Sequence, residues 1–250
     1  MKRAKTFFFG LASLALFAAS AHAAIIRAEH VTNGVLDLVW APGFGLSNTM
    51  KPLTLDPSDP AYANPSGDHT IADAISSAAP DSGGLILTCT DPAGASDYTW
   101  EAWMFTGAGN TRRGLVVRAD PSNAFQSCYQ FVVQAGLFQL NFRKLDNQTP
   151  TTLGTWFANT LPAGSIPVNS WHKMKVIAVG SSFRCFFDDF ELTAAAIEDS
   201  SFPSGWVGCY NFRFDLGNVP VYFDDLILST PDATPTASQT WGRIKALYRR

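Results

Sequence analysis

The sequence predicts an all-β fold in which two antiparallel sheets pack face to face as a sandwich. Short runs of alternating apolar and polar residues follow one another along the chain, separated by Gly, Pro, Asn and Asp. Aromatic residues make up 13% and charged residues 16% of the chain, with 19 glycines, a composition typical of a β-rich extracellular domain. Within the domain, helical spacing is confined to residues 70–79, where Ile71 and Ile75 predict a short helical turn.

The N-terminus has the three zones of a secretory signal peptide. Three basic residues precede an apolar run, residues 7–19, and Ala21 and Ala23 are the small residues that signal peptidase recognises. An uncleaved anchor helix is the alternative, but the run is shorter than the ~20 residues that span a bilayer, and no later stretch is long enough either. We therefore expect cleavage after Ala23, export from the cytoplasm and a mature chain without a transmembrane segment.

Removal of the signal peptide makes the chain more acidic. The full chain has 18 basic and 21 acidic residues, and losing three of the basic ones takes the formal net charge from −3 to −6. Four of the remaining basic residues lie at the extreme C-terminus: Arg243, Lys245, Arg249 and Arg250. Nucleic-acid recognition requires a basic stripe on the domain itself, so the charge distribution argues against nucleic acid as a partner.

We divide the chain into a signal peptide (1–23), a sandwich domain (24–229) and a C-terminal linker with a basic tail (230–250). At the start of the domain, Asn33-Gly34 predicts a hairpin between residues 25–32 and 35–40, because both turn residues accept a positive φ. The next segment, residues 41–84, is rich in Pro, Asp, Ser and Gly. We expect it to be a long loop that wraps around the sandwich or carries function.

From Leu85 onward the strand pattern is regular. The predicted strands are 98–105, 115–118, 129–134, 138–143, 173–179, 183–192, 206–212 and 221–228. Alternation along them assigns a core of Tyr98, Trp100, Leu115, Val117, Phe131, Val133, Phe138, Leu140, Met174, Val176, Phe183 and Phe187. At ~1.5–3 kcal/mol for each large side chain buried, this core can hold the fold without a metal.

Six segments carry a family resemblance: DYTWEAWMF (97–105), RRGLVVRADPSNAF (112–125), YQFVVQAGLFQLNFRKL (129–145), WHKMKVIAVGSSFRCFFDDFEL (171–192), FPSGWVGCYNF (202–212) and VYFDDLIL (221–228). In order and spacing they resemble the concanavalin A-like lectin/glucanase superfamily, and its laminin-G-like domains in particular. The resemblance implies a jelly-roll sandwich in which the first and last strands meet. It implies little about function, because lectins, glycosidases, adhesive modules and structural domains share the fold.

The glycosidase branch of that superfamily is not supported at the residue level. Its retaining glucanases carry catalytic carboxylates in an E-x-D-x-x-E pattern, and neither Glu101 nor Glu191 begins such a pattern here. Hydrolysis needs two carboxylates ~5–10 Å apart across the substrate. Adjacent acids such as Asp224 and Asp225 point to opposite faces of a strand. A glycosidase of unrecognised mechanism stays open as an alternative to a non-catalytic module.

Four outward-facing polar residues are candidates for glycan binding: Arg118, Gln130, Asn141 and Arg143. Planar amides and guanidinium groups suit sugar hydroxyls and carboxylates, whereas the alternative is an ordinary solvated sheet face. Trp103 lies on the solvent side of its strand, where it could stack on a sugar ring or be covered by residues 41–84.

Calcium is a candidate cofactor at the closing strand. Asp224 and Asp225 lie where related jelly rolls often carry an acid near a structural calcium, and Glu29 or Asp37 could add ligands if the chain ends meet. Calcium requires six or more oxygen ligands. The alternative is a pair of solvated or hydrogen-bonded aspartates.

The four cysteines allow two interpretations. An oxidising compartment permits disulfides among Cys89, Cys128, Cys185 and Cys209, which four cysteines can pair in three ways. Alternatively they are buried small hydrophobic residues, and none has the CxxC spacing of a redox or zinc site.

The C-terminal tail differs in composition from the domain. Residues 230–239 are rich in Thr, Pro, Ala and Ser and predict a flexible linker. Trp241, Ile244 and Tyr248 follow at positions i, i+3 and i+7, with four basic residues around them. This pattern is similar to the short basic tails of some secreted bacterial proteins, which serve in sorting or surface retention. A disordered terminus is the alternative.

The sequence therefore favours a secreted, non-catalytic module that binds a polysaccharide or another glycan outside the cell or at its surface. The main alternative is a structural or adhesive envelope protein whose partners are other envelope proteins.

Overall fold

The computed structural model describes residues 23–31, 34–42, 48–76, 83–88, 96–107, 111–134, 138–213 and 221–231. Within them the chain forms two antiparallel sheets, as predicted, and no α-helix. No helix among these residues is long and apolar enough to cross a membrane. The predicted signal peptide as far as residue 22, Cys89 and the tail from residue 232 lie outside the described residues.

Nine strands form one sheet: β1 (Ile25–Glu29), β3 (Asn48–Thr54), β4 (Thr70–Ser76), β6 (Tyr98–Phe105), β11 (Trp171–Val179), β12 (Ser182–Phe187), β13 (Phe190–Glu191), β14 (Ile197–Glu198) and β16 (Tyr222–Ser229). Its order is β13-β12-β11-β6-β16-β4-β3, with β1 also paired to β16 and β14 to β12. The first strand therefore meets the last, as the jelly-roll resemblance predicts.

Seven strands form the other sheet: β2 (Trp40–Pro42), β5 (Gly83–Thr88), β7 (Thr111–Ala119), β8 (Cys128–Gln134), β9 (Gln139–Asp146), β10 (Thr149–Phe157) and β15 (Trp206–Arg213). The strand order is β10-β9-β8-β7-β15-β5-β2. Strands β7 to β10 follow one another as a meander, so residues close in sequence lie side by side on this sheet.

The hydrophobic core lies between the two sheets and confirms most of the predicted inward residues. All of them are buried in one cluster except Phe138, which is 59% exposed. Phe138 stands at the turn before β9 with a φ of 48°, so the strand alternation does not apply to it. Across the core, Trp100 Nε1 donates a hydrogen bond of 2.9 Å to the Gly208 carbonyl, which links the two sheets.

The predicted hairpin at Asn33-Gly34 is wrong. Residues 34–39 form no strand, β1 pairs with β16, and β2 pairs with β5 in the other sheet. The buried Glu29 carboxylate explains this, because it accepts the backbone N–H groups of Val31, Asp37 and Leu38 and the indole N–H of Trp40, at 2.8–3.0 Å. The chain thus folds around one carboxylate instead of forming a ladder.

The predicted long loop at 41–84 and helical turn at 70–79 are also wrong. Strands β3 and β4 lie inside that segment and pair with each other, with Lys51 opposite Asp73, and residues 55–69 connect them. The two isoleucines four apart belong to a strand whose alternate residues, Ala72 and Ala74, enter the core. Strand pairing has overridden the weak helical spacing.

A β-bulge in β7 moves Arg118 off the outer face predicted for it. Val116 pairs with Gly208 and Ala119 with Trp206, so Val117 and Arg118 together oppose a single residue of β15. Arg118 is the extra residue, with a φ of 52°, and Ala119 takes the next outward position. The prediction that Arg118 lies on the outer face is therefore wrong, because the bulge shifts the outward position by one residue, to Ala119.

The Arg118 side chain joins three segments at one end of the sandwich. Its guanidinium donates to the carbonyls of Ser96 (2.8 Å), Phe202 (3.1 Å) and Gly180, and lies 4.7 Å from the ring centre of Phe183. The residue is fully buried. Arg118 therefore stabilises the fold and does not face a ligand on the sheet.

Replacing Gly205 by alanine should destabilise the fold, because a Cβ there would lie 2.5 Å from the Arg118 carbonyl carbon and 2.6 Å from the Ala119 oxygen. Gly205 also has a φ of 154°. We expect Gly205→Ala to lower the free energy of unfolding by roughly 1–3 kcal/mol in urea denaturation. Ser204→Ala, at the exposed neighbouring residue, is the control and should change it by less than about 0.5 kcal/mol. Equal effects of the two substitutions would contradict the tight contact.

Candidate functional site

The outer face of the seven-stranded sheet carries a group of planar polar side chains. Strand register brings them together, since Gln130 on β8 pairs with Arg143 on β9, and Arg112 on β7 pairs with Gln134 on β8. Asn141 lies two residues before Arg143 and therefore on the same face. We call Arg112, Gln130, Gln134, Asn141 and Arg143 the polar floor.

Hydrogen bonds fix the side chains of the polar floor. Arg143 Nε donates to Gln130 Oε1 at 2.8 Å, and Arg112 Nε donates to Gln134 Oε1 at 3.1 Å. Asn141 Oδ1 accepts a hydrogen bond of 2.9 Å from the Thr155 hydroxyl. The planar groups are therefore oriented before any ligand arrives.

Two aromatic residues of β15 border the polar floor. The Arg143 guanidinium lies 5.1 Å from the ring centre of Tyr210, and the rings of Tyr210 and Phe212 are nearly parallel at 6.5 Å. Burial raises the pKa of Tyr210, although Arg143 and Arg112 act in the opposite direction. The pKa of Arg112 is lowered by burial and by the like charge of Arg143. The site is thus partly desolvated and positively charged.

The floor opens to solvent along β10. Thr152 pairs with Arg143 and Thr155 with Asn141, and both threonines are exposed. Phe157, opposite Gln139 on the same strand, is 54% exposed. It borders a cavity of about 500 Å³ whose other lining residues are Phe138, Ala158, Asn159, Gly164, Ser165 and Ile166. The accessible edge therefore combines hydroxyl groups with exposed aromatic rings.

An apolar cluster adjoins the polar floor. Val116, Cys128, Val132 and Leu145 are buried in it and pack against residues that include Trp206 and Phe125, and Val132 lies opposite Asn141, between Gln130 and Gln134. The rings of Phe125 and Trp206 are 5.2 Å apart. Polar contacts to a ligand are thus concentrated at the polar floor.

Three of the five predicted glycan-binding residues come together in the structure. Gln130, Asn141 and Arg143 share the polar floor, whereas Arg118 is turned away by the bulge. Trp103 lies in β6 of the other sheet, half-buried and opposite Lys173 and Asp224, so it belongs to no common site with them.

The prediction missed Arg112, Gln134, Tyr210 and Thr155. The sequence alone could have placed Gln134 and Arg112 on the outer face, because each continues the alternation of a strand that already supplied a candidate or core residue. It could not have placed Tyr210 in the site, since only the pairing of β15 with β7 brings Tyr210 next to these residues.

The acids proposed for calcium are held by other groups. Asp224 accepts hydrogen bonds of 3.0 Å from Asn64 Nδ2 and the Ser66 N–H, while Asp225 contacts His30 Nδ1 at 2.7 Å. Asp37 accepts the His30 N–H at 3.0 Å, and both oxygens of Glu29 already accept N–H groups. Among the described residues, no three His, Cys, Asp or Glu side chains converge as metal ligands. Calcium binding stays a prediction.

A bulge also affects the closing strand. Asp224 pairs with Trp103 and Ile227 with Glu101, and Asp225 has a φ of 45°. The expectation that Asp224 and Asp225 point to opposite faces of a regular strand therefore does not hold at this bulge.

The described cysteines are buried free thiols. Cys128, Cys185 and Cys209 form no disulfide, so the disulfide interpretation is wrong for these three. Burial raises the pKa of the Cys128 thiol to about 12 and raises those of Cys185 and Cys209 as well. They pack as small hydrophobic residues.

Comparison with known proteins identifies the fold but no sequence family. No family model and no curated protein sequence matches the chain. Among solved structures, the chain is similar to the carbohydrate-binding module CBM66 from Bacillus subtilis, with 20% identity and a TM-score of 0.55 over 78% of this chain and 98% of that one. The fold is a lectin-like β-sandwich.

Two further structures have the same fold. A Bacillus subtilis protein of unknown function with a galectin-like fold matches at 10% identity and a TM-score of 0.52, over 83% of this chain and 96% of that one. Domain 4 of AbnA, a GH43 extracellular arabinanase from Geobacillus stearothermophilus solved with arabinotriose, matches at 11% and 0.51, over 91% and 99%. These similarities do not single out the laminin-G-like branch, which stays a prediction.

Replacing Arg118 by methionine should lower stability, because the backbone carbonyls of Ser96, Phe202 and Gly180 each lose a buried, charged donor. We expect a loss of roughly 2–4 kcal/mol in the free energy of unfolding. The control is Arg184→Met, which removes a partly exposed ion pair with Glu191 and should cost under about 1 kcal/mol. Comparable losses in the two variants would contradict a buried structural role for Arg118.

Asp73 should make stability depend on pH. Burial, and to a lesser degree Asp59, raise its pKa to about 6, while Lys51 opposes the shift. A folded pKa above the unfolded value means that the contribution of Asp73 to stability is lost as pH rises from about 4 through 6. We expect Asp73→Asn to raise the melting temperature at pH 7.5 and to have no such effect near pH 4. A difference that stays constant between these pH values would contradict the raised pKa.

Proposed function

We propose that this protein is a secreted, non-catalytic module that binds a polysaccharide on the polar floor. The observation that carries the proposal is Arg143, which is held between the Gln130 amide and the Tyr210 ring on the outer face of a lectin-like sheet. Guanidinium, amide and aromatic groups in one shallow site are the groups that recognise sugars.

The chemistry of the polar floor matches that of a sugar ring. Sugar hydroxyls both donate and accept hydrogen bonds, and the amides of Gln134 and Asn141 offer both functions, while the buried Gln130 amide holds Arg143 in place. The aromatic rings at the border offer apolar faces for the C–H groups of the sugar. Because hydrogen bonds within the floor already orient Arg143 and Asn141, binding would order few side chains and lose little entropy.

The open edge of the floor suits an extended ligand. Thr152, Thr155 and Phe157 follow one another along β10, beside the floor and toward the cavity of about 500 Å³. From Arg143 to Gln139 the strand extends by about 13 Å, at ~3.3 Å per residue. A chain of several sugars could therefore contact the floor at one end and the exposed Phe157 ring at the other.

The absence of acids on this face supports a non-catalytic role. In the described parts of β7, β8, β9 and β15, the outward positions hold no Asp or Glu, so the face offers no pair of carboxylates for glycosidic hydrolysis. The structural similarity to a carbohydrate-binding module and to an arabinanase domain solved with arabinotriose supports the same class of function. Export from the cell is part of this proposal and rests on the N-terminal sequence.

Binding should be measured with the mature protein against plant, algal and microbial polysaccharides, including arabinan, by affinity electrophoresis and calorimetry. We expect Asn141→Ala to weaken binding about tenfold, because it removes polar contacts to sugar hydroxyls. Thr151→Ala, an exposed residue of β10 on the opposite face, is the control and should bind as the native protein does. Failure to bind any glycan, or equal binding by both variants, would overturn the proposal. Repeating the measurements in calcium and in chelator tests the calcium prediction separately.

A further inference from the structure

Arg143 is a nearly buried cation without an acidic partner. Its side chain is 7% exposed, and Nε donates to Gln130 Oε1, a neutral acceptor. None of the ion pairs among the described residues includes it. Removing a charge from water without a counter-charge costs several kcal/mol. The fold accepts that cost at this position.

Three half-buried cations in the described part of the chain are paired with acids. Lys144 pairs with Asp199 at 3.2 Å, Lys173 with Glu101 at 3.3 Å, and Arg184 with Glu191 at 2.6 Å. Arg143 is more deeply buried than these groups, yet lacks such a partner in the described part of the chain. Arg118 is also buried without an acidic partner among the described residues, but its guanidinium donates to backbone carbonyls, whereas Nε of Arg143 donates to a side-chain amide on the outer face of the sheet.

The groups around Arg143 do not neutralise its charge. Arg112 lies on the same face, and burial together with the like charge of Arg143 lowers the pKa of Arg112. Gln130 is fully buried; its Oε1 accepts from Arg143 Nε and its amide also hydrogen-bonds the Cys128 thiol, so it orients Arg143 without neutralising its charge.

We infer that the glycan bound on the polar floor is acidic, and that a carboxylate of a uronic acid residue pairs with Arg143. This inference rests on the proposed glycan-binding function. Gln130 accepts from Nε of Arg143 and the Tyr210 hydroxyl also hydrogen-bonds the guanidinium, so the remaining N–H groups of its five donors would pair with the carboxylate oxygens. The ligand would enter from β10, where Thr152 lies opposite Arg143 and is exposed.

The net charge of the protein does not help to attract an acidic glycan. The chain carries a formal net charge of −3, so it does not attract an acidic polymer at long range. Exposed charges are screened beyond about 8 Å at physiological salt, whereas a partly buried pair is screened much less. Binding of an acidic glycan therefore depends on the arginines of the floor themselves.

The first test compares ligands on the native mature protein by calorimetry. Polygalacturonate, alginate and hyaluronate supply carboxylates, methyl-esterified polygalacturonate and arabinan do not, and carrageenan supplies sulfate esters instead. We expect at least one uronate polymer to bind, and full esterification to weaken polygalacturonate-type binding by about tenfold or more, since a charge-assisted pair is lost. Preference for neutral glycans would overturn the inference and leave the proposed function standing, whereas no binding to any glycan would overturn both. Binding to carrageenan alone would show that the carboxylate assignment is wrong.

The second test places a competing carboxylate beside Arg143. Thr152→Glu puts an acid on the exposed strand residue opposite Arg143, and Thr151→Glu makes the same charge change one residue away on the other face. We expect Thr152→Glu to weaken uronate binding about tenfold or more and Thr151→Glu to change it less than about twofold. Both residues are exposed, so neither variant should disturb folding, and melting curves verify this. Equal affinities of the two variants would overturn the role of Arg143.

A direct substitution completes the test. Arg143→Gln removes the cation and should abolish the preference for uronate polymers over neutral ones, while Arg143→Lys should retain part of it because it keeps the charge but loses the planar pair of donors. Arg27→Gln, on β1 of the other sheet, is the charge-matched control and should leave the preference unchanged. A uronate preference that survives Arg143→Gln would overturn the inference.

Discussion

The pairing of β8 with β9 is the constraint on which the rest of this structure depends. With Gln130 opposite Arg143, Phe131 comes opposite Phe142, so one register places a polar pair outside and an aromatic pair in the core. A slip of one residue would exchange the two faces and bury a charge between the sheets. The core and the candidate site are therefore two sides of the same hydrogen-bonded ladder.

Buried charge is used in three different ways in this sandwich. Glu29 gathers N–H groups and shapes the chain between β1 and β2, and Arg118 gathers carbonyl groups and closes one end of the fold. Both bind mainly backbone groups. Arg143 has a neutral amide and an aromatic ring around it instead, and we propose that its counter-charge comes from a ligand. All three side chains are buried, so their exposure does not distinguish them, whereas the groups around them do: backbone groups surround Glu29 and Arg118, and side chains surround Arg143.

The lectin-like β-sandwich by itself says little about function, because the same fold serves proteins with unrelated roles. What distinguishes this chain is the arrangement on the outer face of the seven-stranded sheet, where β15 brings Tyr210 next to residues of the β7–β9 meander. The aromatic ring covers one side of the Arg143 guanidinium, and Gln130 holds its Nε. A site prepared in this way favours a ligand with planar acceptors, which is the basis of both proposals.

By itself, the sequence determined the fold class, most of the core and the shared face of Gln130, Asn141 and Arg143, because the period of two along a strand is a local property. It did not determine where that period breaks. Bulges at Arg118 and Asp225, the chain folded around Glu29, and the strands hidden in residues 41–84 arise from contacts between segments far apart in sequence. Tyr210 joins the site for the same reason, since only the pairing of β15 with β7 decides which side chains it meets. Local alternation fixed which way most side chains point, and the tertiary structure decided which of them meet.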